Sequence, residues 1–274
     1  MSVLTPSPGI GHLLRAWRQR RRMSQLDLSV EAEVSARHLS FVETGRSKPS
    51  RELVIHLAEH LDVPLRDRND LLLAAGYAPV YAETPLEDRA MEPVRAALDE
   101  LLAAHDPYPA VVVDRTWDLV TANRTALEVL TAGVDPALLE PPVNVLRVSL
   151  HPDGMAPRIA NLAEWGSHLL TRLHRQALLT ADPALEALRA EVADYPGIDP
   201  VPAAMTDPAA MLYVPLELRT GSDPGSGEGV LRFFSTIATF GTAVDITLAE
   251  LSIESFYPAD AHTAEVLRSH ADGG

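Results

Sequence analysis

The sequence predicts an all-α bundle of five helices followed by an α+β domain built on an antiparallel sheet. Three observations carry this. Through residues 1–78, apolar residues recur with helical period in five short runs separated by brief joints. From Ala110 the period switches to two, and three alternating stretches close the chain. Charge divides along the same line. Residues 1–81 hold 11 bases and 9 acids, while residues 82–274 hold 12 and 29, together the chain's 23 and 38.

The first helix covers about Ile10–Arg22, with Ile10, Leu13, Leu14 and Trp17 on one face. Ser24 is an N-cap for a second over Gln25–Ala32, and Ser35 for a third over Ala36–Thr44, which Gly45 ends in a left-handed conformation. Pro49-Ser50 opens a fourth, in which Leu53, Val54, Leu57, Ala58 and Leu61 share a face; a fifth, Leu65–Ala75, stops at Gly76. Helices this short bury their apolar faces only against one another, hence a bundle. Residues 79–93 carry three prolines and several acids. With a helix expected over Val94–Ala104, they make residues 79–105 a linker and connecting helix between domains 1–78 and 106–270.

In the second domain, Ala110–Asp114 and Trp117–Ala122 flank Arg115-Thr116 as a two-residue hairpin, and Asn123 caps a helix to Leu130. After a proline-rich passage, Pro157–Leu179 places Ile159, Leu162, Ala163, Gly166, Leu169, Leu170 and Leu173 on one side of a helix. Another helix spans Pro183–Val192. Leu212–Leu218, Val230–Phe240 and Ile246–Tyr257 read as strands, with Thr220–Gly229 a loop. Pro215 cannot donate to a ladder, so the first of these belongs at an edge or carries a bulge. Asp260 caps a last short helix. Strands and helices in this order give an antiparallel sheet covered by helices on one face.

The chain has no cysteine, which removes disulfides, thiolate metal sites and thiol nucleophiles from consideration. No run of apolar residues is long enough to span a membrane, and the N-terminus lacks the layout of a signal peptide, so a cytoplasmic protein without membrane partners is expected. The net charge of −15 conceals a segment, residues 15–51, with nine bases against four acids. A basic segment joined to an acidic remainder fits a nucleic-acid-binding piece on a body that DNA repels. His56-Leu57-Ala58-Glu59-His60 matches a zinc pattern, but the helix turns both histidines outward and no third ligand stands out, so no metal or cofactor is expected. The single lysine, Lys48, lies in the first domain, which leaves no lysine base for a Ser/Lys peptidase behind it. His168 and His174 share no helix face and read as ordinary polar residues.

Ser24-Gln25, Ser29, Val34 through Leu39, and Val42 through Ser50 resemble, at their spacing, the helix-turn-helix of Xre-type regulators. Small Ser29 permits a close helix crossing. Leu28, Leu39 and Val42 fill the space beneath, which leaves Ala36, Arg37, His38 and Phe41 on the exposed side of a helix that fits the major groove. The resemblance implies a partly buried ion pair between Arg18 and Glu43 that fixes the fold, and an amide at Gln25 that grips a phosphate. Lys48 and Arg51 are placed for the DNA backbone, and such contacts set register without reading sequence; Ser35, which caps the recognition helix, is counted with the DNA-binding residues. Arg37 is the candidate for base readout through guanine O6 and N7. His38 reaches phosphate or base; Phe41 touches a thymine methyl or packs internally. Glu33 stands at the turn position where the family often has Gly, so a positive φ there is costly.

Asn144 through Arg147, His151 through Gly154, Asn161, Trp165, Phe233 through Thr236, Phe240 through Thr242, Asp245 through Leu251, and Phe256 through Asp260 together resemble the ligand-binding domain of MmyB-like (MltR-like) regulators, over roughly residues 106–266. The resemblance implies a PAS-like sheet-and-helix sensor, no catalysis, and for some relatives an apolar, fatty-acid-like ligand. Candidate apolar walls are Trp117, Leu127, Trp165, Leu169, Phe233 and Ile237, each of which also fits plain core packing. A carboxylate ligand calls for a cation, and Arg147, Arg158 and Arg172 are the choices, with surface ion pairs as their other reading. The expected protein is therefore a transcription regulator and not an enzyme, a homodimer on double-stranded DNA that responds to a small apolar or fatty-acid-like ligand. The rival readings are a small-molecule enzyme with an attached DNA-binding module, and a regulator whose acidic half only dimerises or recruits a protein.

Overall fold

The computed structural model describes residues 9–198, 214–220 and 229–272. In chain order its elements are α1 (Ile10–Arg20), α2 (Gln25–Glu31), α3 (Ala36–Glu43), α4 (Arg51–His60), α5 (Leu65–Ala74), α6 (Glu92–His105), β1 (Ala110–Val113), β2 (Leu119–Ala122), α7 (Arg124–Leu130), α8 (Val145–Leu150), α9 (Leu162–Thr180), α10 (Pro183–Ala193), β3 (Leu216–Arg219), β4 (Val230–Thr239), α11 (Ile246–Ala249), β5 (Ser252–Pro258) and α12 (Ala261–Asp272). Two compact units result. One runs to Thr84 and also takes in Thr242–Ala249; the other takes Pro85–Gly241 and the chain from Glu250.

In the first unit, α1–α5 form the helical bundle. Its helix starts are fixed by side chains: Ser24 Oγ accepts from Asp27 N–H while Asp27 accepts from Ser24 N–H at 2.7 Å, and Ser35 and Ser50 cap α3 and α4. Gly45 (φ +72°) and Gly76 (φ +78°) provide the left-handed residues just beyond α3 and α5. Leu14, Trp17, Leu28, Leu39, Val42, Leu57 and Leu72 fill the centre. The segment Thr242–Ala249 is held to this unit by Asp245, which accepts from Thr84 Oγ1 at 2.7 Å, and by Ile246, which is buried and donates its N–H to Ala82 O at 2.8 Å.

In the second unit, the strands lie in the order β2-β1-β5-β4-β3, antiparallel throughout. Alternation sends Val111, Val113, Leu216, Leu218, Leu231, Phe233 and Phe256 into one core with Trp165, Leu169, Leu170 and Leu173 of α9. Asn123 anchors the start of α7 from a buried position. Its Oδ1 accepts from Ala110 N–H and Ala126 N–H, and its Nδ2 donates to Tyr108 O at 2.7 Å.

Four local expectations need correction. The stretch Ile246–Tyr257 is not one strand. Asp245 accepts from Thr247 N–H at 2.9 Å and so starts α11, and the strand begins only at Ser252. The β1–β2 connection is wider than Arg115-Thr116: Asp114 Oδ1 collects the Thr116 and Asp118 N–H groups, Trp117 takes φ +67°, and β2 starts at Leu119. The helix expected from Pro157 begins at Leu162, because Ile159 bridges to Leu218 and Ala160 N–H donates to Glu217 O, which pairs that segment with β3. Helix α8 arises in the passage read as irregular, capped by Asn144. Strand β3 starts after Pro215; Leu212 and Tyr213 lie outside the described residues, as does most of the loop Thr220–Gly229.

Candidate functional site

The first unit presents α3 on a locked scaffold. Arg18 donates to Glu43 through Nε (2.6 Å) and Nη2 (2.9 Å), and both side chains are buried. Burial alone would push the Glu43 carboxyl up. The hydrogen bonds from Arg18 and Gln25, with the Arg18 charge, overcome it and hold Glu43 below the usual carboxylate range. The bond to Glu43 in turn raises the Arg18 guanidinium. Gln25 Nε2 donates to Glu43 Oε2 at 2.7 Å, so this amide is tied into the ion pair. Gly11 lets α1 approach α3, since a Cβ there would collide with the Val42 and Glu43 carbonyl oxygens. Arg21 reaches across to the Leu61 and Asp62 carbonyls that end α4.

Above this scaffold Ser35, Ala36, Arg37 and His38 are exposed at the start of α3. Phe41 is half-buried, with the guanidinium carbons of Arg37 and Arg46 at 5.3 and 6.0 Å from its ring centre, an aromatic flanked by two cations. Lys48 is exposed with its Nζ 4.9 Å above the Tyr77 ring, and Tyr77 Oη donates to Pro49 O. Arg51 opens α4, exposed. Glu33 has φ +52°, the left-handed conformation expected at the turn. His56 is not turned outward: it is half-buried, with Nε2 2.7 Å from Ala32 O and its ring against His60. Helical periodicity misses this because α4 packs beside the end of α2. Among the described residues no cluster of three metal-ligating side chains occurs.

The second unit encloses a cavity of about 270 Å³ between the inner face of the sheet and α7, α8 and α9. That is larger than the roughly 150 Å³ apolar cavity able to hold benzene. Trp117, Leu127, Trp165 and Leu169 line it, together with Val111, Leu146, Met155, Leu216 and Phe256. Leu127, 47% exposed, marks its mouth. Phe233 is 1% exposed and lies in the solid core, while Ile237 of β4 is 47% exposed; neither lines the cavity. Trp165 Nε1 donates to Ser149 Oγ at 3.1 Å, and Trp117 Nε1 to Gln176 Oε1 at 2.8 Å, so both indoles are fixed.

The three arginines occupy other positions. Arg147 makes a bidentate pair with Glu191, both contacts 2.8 Å, clamping α8 to α10. That guanidinium, aided by Tyr195, brings the Glu191 carboxyl down to about 2. Arg158 donates to the Val129 and Ala132 carbonyls, and its burial lowers its pKa. Arg172 donates to both oxygens of Glu254 at 3.2 and 3.3 Å, and its guanidinium carbon lies 4.7 Å from the Trp117 ring centre. Sequence reasoning missed Glu254, which is 7% exposed and lines the cavity. Strand alternation was the available signal, since Glu254 shares a face with Phe256. Ser149, Met155 and Leu146 were missed along with α8 itself.

Residues 94–269 match the family model described as MmyB-like transcription regulator ligand binding domain, and residues 10–71 match a helix-turn-helix domain. No curated protein matches the chain. Among solved structures it is similar, at 15% identity and a TM-score of 0.27, to one described as "Structure of an RNA-binding Light-Oxygen-Voltage Receptor"; the match covers 97% of this chain and 62% of that one.

Proposed function

The chain belongs to the MmyB-like transcription regulators, and from that premise we propose that α3 enters the DNA major groove while the cavity of the second unit holds a small apolar effector. The observation that carries the reading is the exposed row Ser35–His38 on a scaffold locked by Arg18 and Glu43. Arg37 reads guanine. Ser35, Lys48 and Arg51 hold phosphates, and Gln25 joins them through its amide while remaining tied to Glu43. His38 and Phe41 lie beside Arg37 on the same face. A single helix reads few base pairs, so the protein acts as a homodimer on two half-sites about one helical turn apart.

The effector acts by binding two arrangements of the second unit unequally. Three chain crossings join the units, after Thr84, after Gly241 and after Ala249. The last of these leads straight into β5, which carries cavity residues Glu254 and Phe256. A shift of β5 on ligand binding is thereby passed to α11.

Gel-shift titration of the full chain on DNA from upstream of its own gene, at several salt concentrations, tests the reading. A sequence-preferring complex that weakens steeply with salt is expected. Arg37→Ala should lower specific affinity by about 1–3 kcal/mol and relax preference at one position, whereas Lys48→Ala should weaken all sequences alike. Absence of any sequence preference would overturn the reading.

A further inference from the structure

Among the described residues, the cavity walls are apolar apart from a few groups, and the ionisable one is an acid. Glu254 is buried, and its carboxylate accepts from Arg172 Nη1 and from Ser235 Oγ at 2.8 Å. Arg147, Arg158 and Arg172 do not line the cavity: Arg147 is bound to Glu191, Arg158 to main-chain carbonyls, and Arg172 to Glu254 itself. The remaining polar lining groups are the Ser149 and Thr131 hydroxyls, one accepting from Trp165 and the other donating to Leu127 O.

A bound carboxylate would be buried beside an acid whose cation, Arg172, is already taken up, and it would find no further cation in the described lining to replace its lost water. A ligand hydroxyl or N–H instead finds an acceptor oriented by Arg172 and Ser235, and hydrogen bonds to a carboxylate are the stronger kind. We propose that the cavity takes an uncharged apolar molecule carrying a hydrogen-bond donor, directed at the Glu254 carboxylate, and discriminates against free fatty carboxylates. This inference rests on the cavity being the effector site.

Three probes of matched chain length separate the possibilities on the full-length protein: decanol, decyl methyl ether and decanoate. Trp117 and Trp165 line the cavity, so intrinsic fluorescence reports occupancy. Decanol should bind about fivefold more tightly than the ether, which lacks the donor, and at least about tenfold more tightly than decanoate. In Glu254→Gln the gap between decanol and decanoate should narrow. The wild-type comparison decides the matter even if that variant does not fold. Decanoate binding as tightly as decanol would overturn the inference while leaving the cavity as effector site, and so would an ether equal to the alcohol. If none of the three binds, the effector site is lost and the inference with it.

Discussion

At the scale of single residues, the Arg18–Glu43 pair is the part of the first unit with most at stake. Neither charge has water to fall back on, so Arg18→Met strands Glu43 and should cost about 3–5 kcal/mol in denaturant unfolding. The pair also sets an acid limit. Glu43 has a depressed carboxyl, so its contribution is complete above the unfolded-state value and drains away as pH falls through the folded one. The difference between wild type and Arg18→Met should therefore shrink on acidification. Gly11→Ala should also destabilise, by about 1–3 kcal/mol in the same measurement, because the added methyl meets main-chain oxygens of α3 that cannot rotate away. These two positions differ in how far the sequence revealed them. Arg18 and Glu43 stand at spacings that the helix-turn-helix resemblance assigns to an ion pair. Gly11 has no such mark, since a close approach of two helices depends on their crossing and not on the residue's neighbours in sequence. Glu254 could have been placed by alternation on the face of Phe256, but an acid on that face gives no sign in the sequence of the Arg172 and Ser235 contacts that let it be buried there.

At the scale of elements, the helices of the first unit were legible almost to the residue because Ser24, Ser35 and Ser50 cap them and Gly45 and Gly76 end them. In the second unit the ends of strands were less so. Asp245 starts α11 inside an alternating stretch, and the turn around Asp114 is built from side-chain acceptors that periodicity does not register. Trp117 pays for its place at the cavity with a left-handed backbone, a strain that bulky residues tolerate where the surroundings enforce it. Helix α8 went unseen since its six residues are too few to display a period, yet it holds the wall of the cavity and is clamped to α10 by Arg147 and Glu191. This clamp has its own pH signature. With Glu191 at about 2 in the folded chain, the clamp's contribution is present above the ordinary glutamate range and is lost as pH falls toward 2. Both side chains are about two-fifths exposed, so solvent and salt weaken the effect. In Arg147→Gln, carboxyl NMR should find Glu191 titrating near the ordinary value of about 4.3, and the acid limb of the melting temperature should become flatter.

At the scale of the whole molecule, the proposal makes a demand that neither unit can meet alone. If the effector alters DNA affinity by some factor, DNA must alter effector affinity by the same factor, because both are differences between the same four states. Tryptophan fluorescence titrations of decanol with and without operator DNA, set against gel shifts with and without decanol, should agree on that factor; typical couplings lie between about fivefold and 150-fold. Unequal factors would mean that the two measurements report different equilibria. The route can be tested in the same pair of experiments. Residues Thr242–Ala249 leave the sheet after β4, contribute buried Ile246 and the Asp245–Thr84 contact to the first unit, and return as β5 beneath the cavity. Replacing them with an equally long Gly-Ser segment keeps the chain continuous but removes that attachment. DNA affinity and decanol affinity, each measured alone, should stay within a few-fold of wild type while the coupling factor falls to one. Retention of full coupling would assign transmission to the crossing after Thr84 or to a contact within the proposed dimer, and would remove α11 from the mechanism.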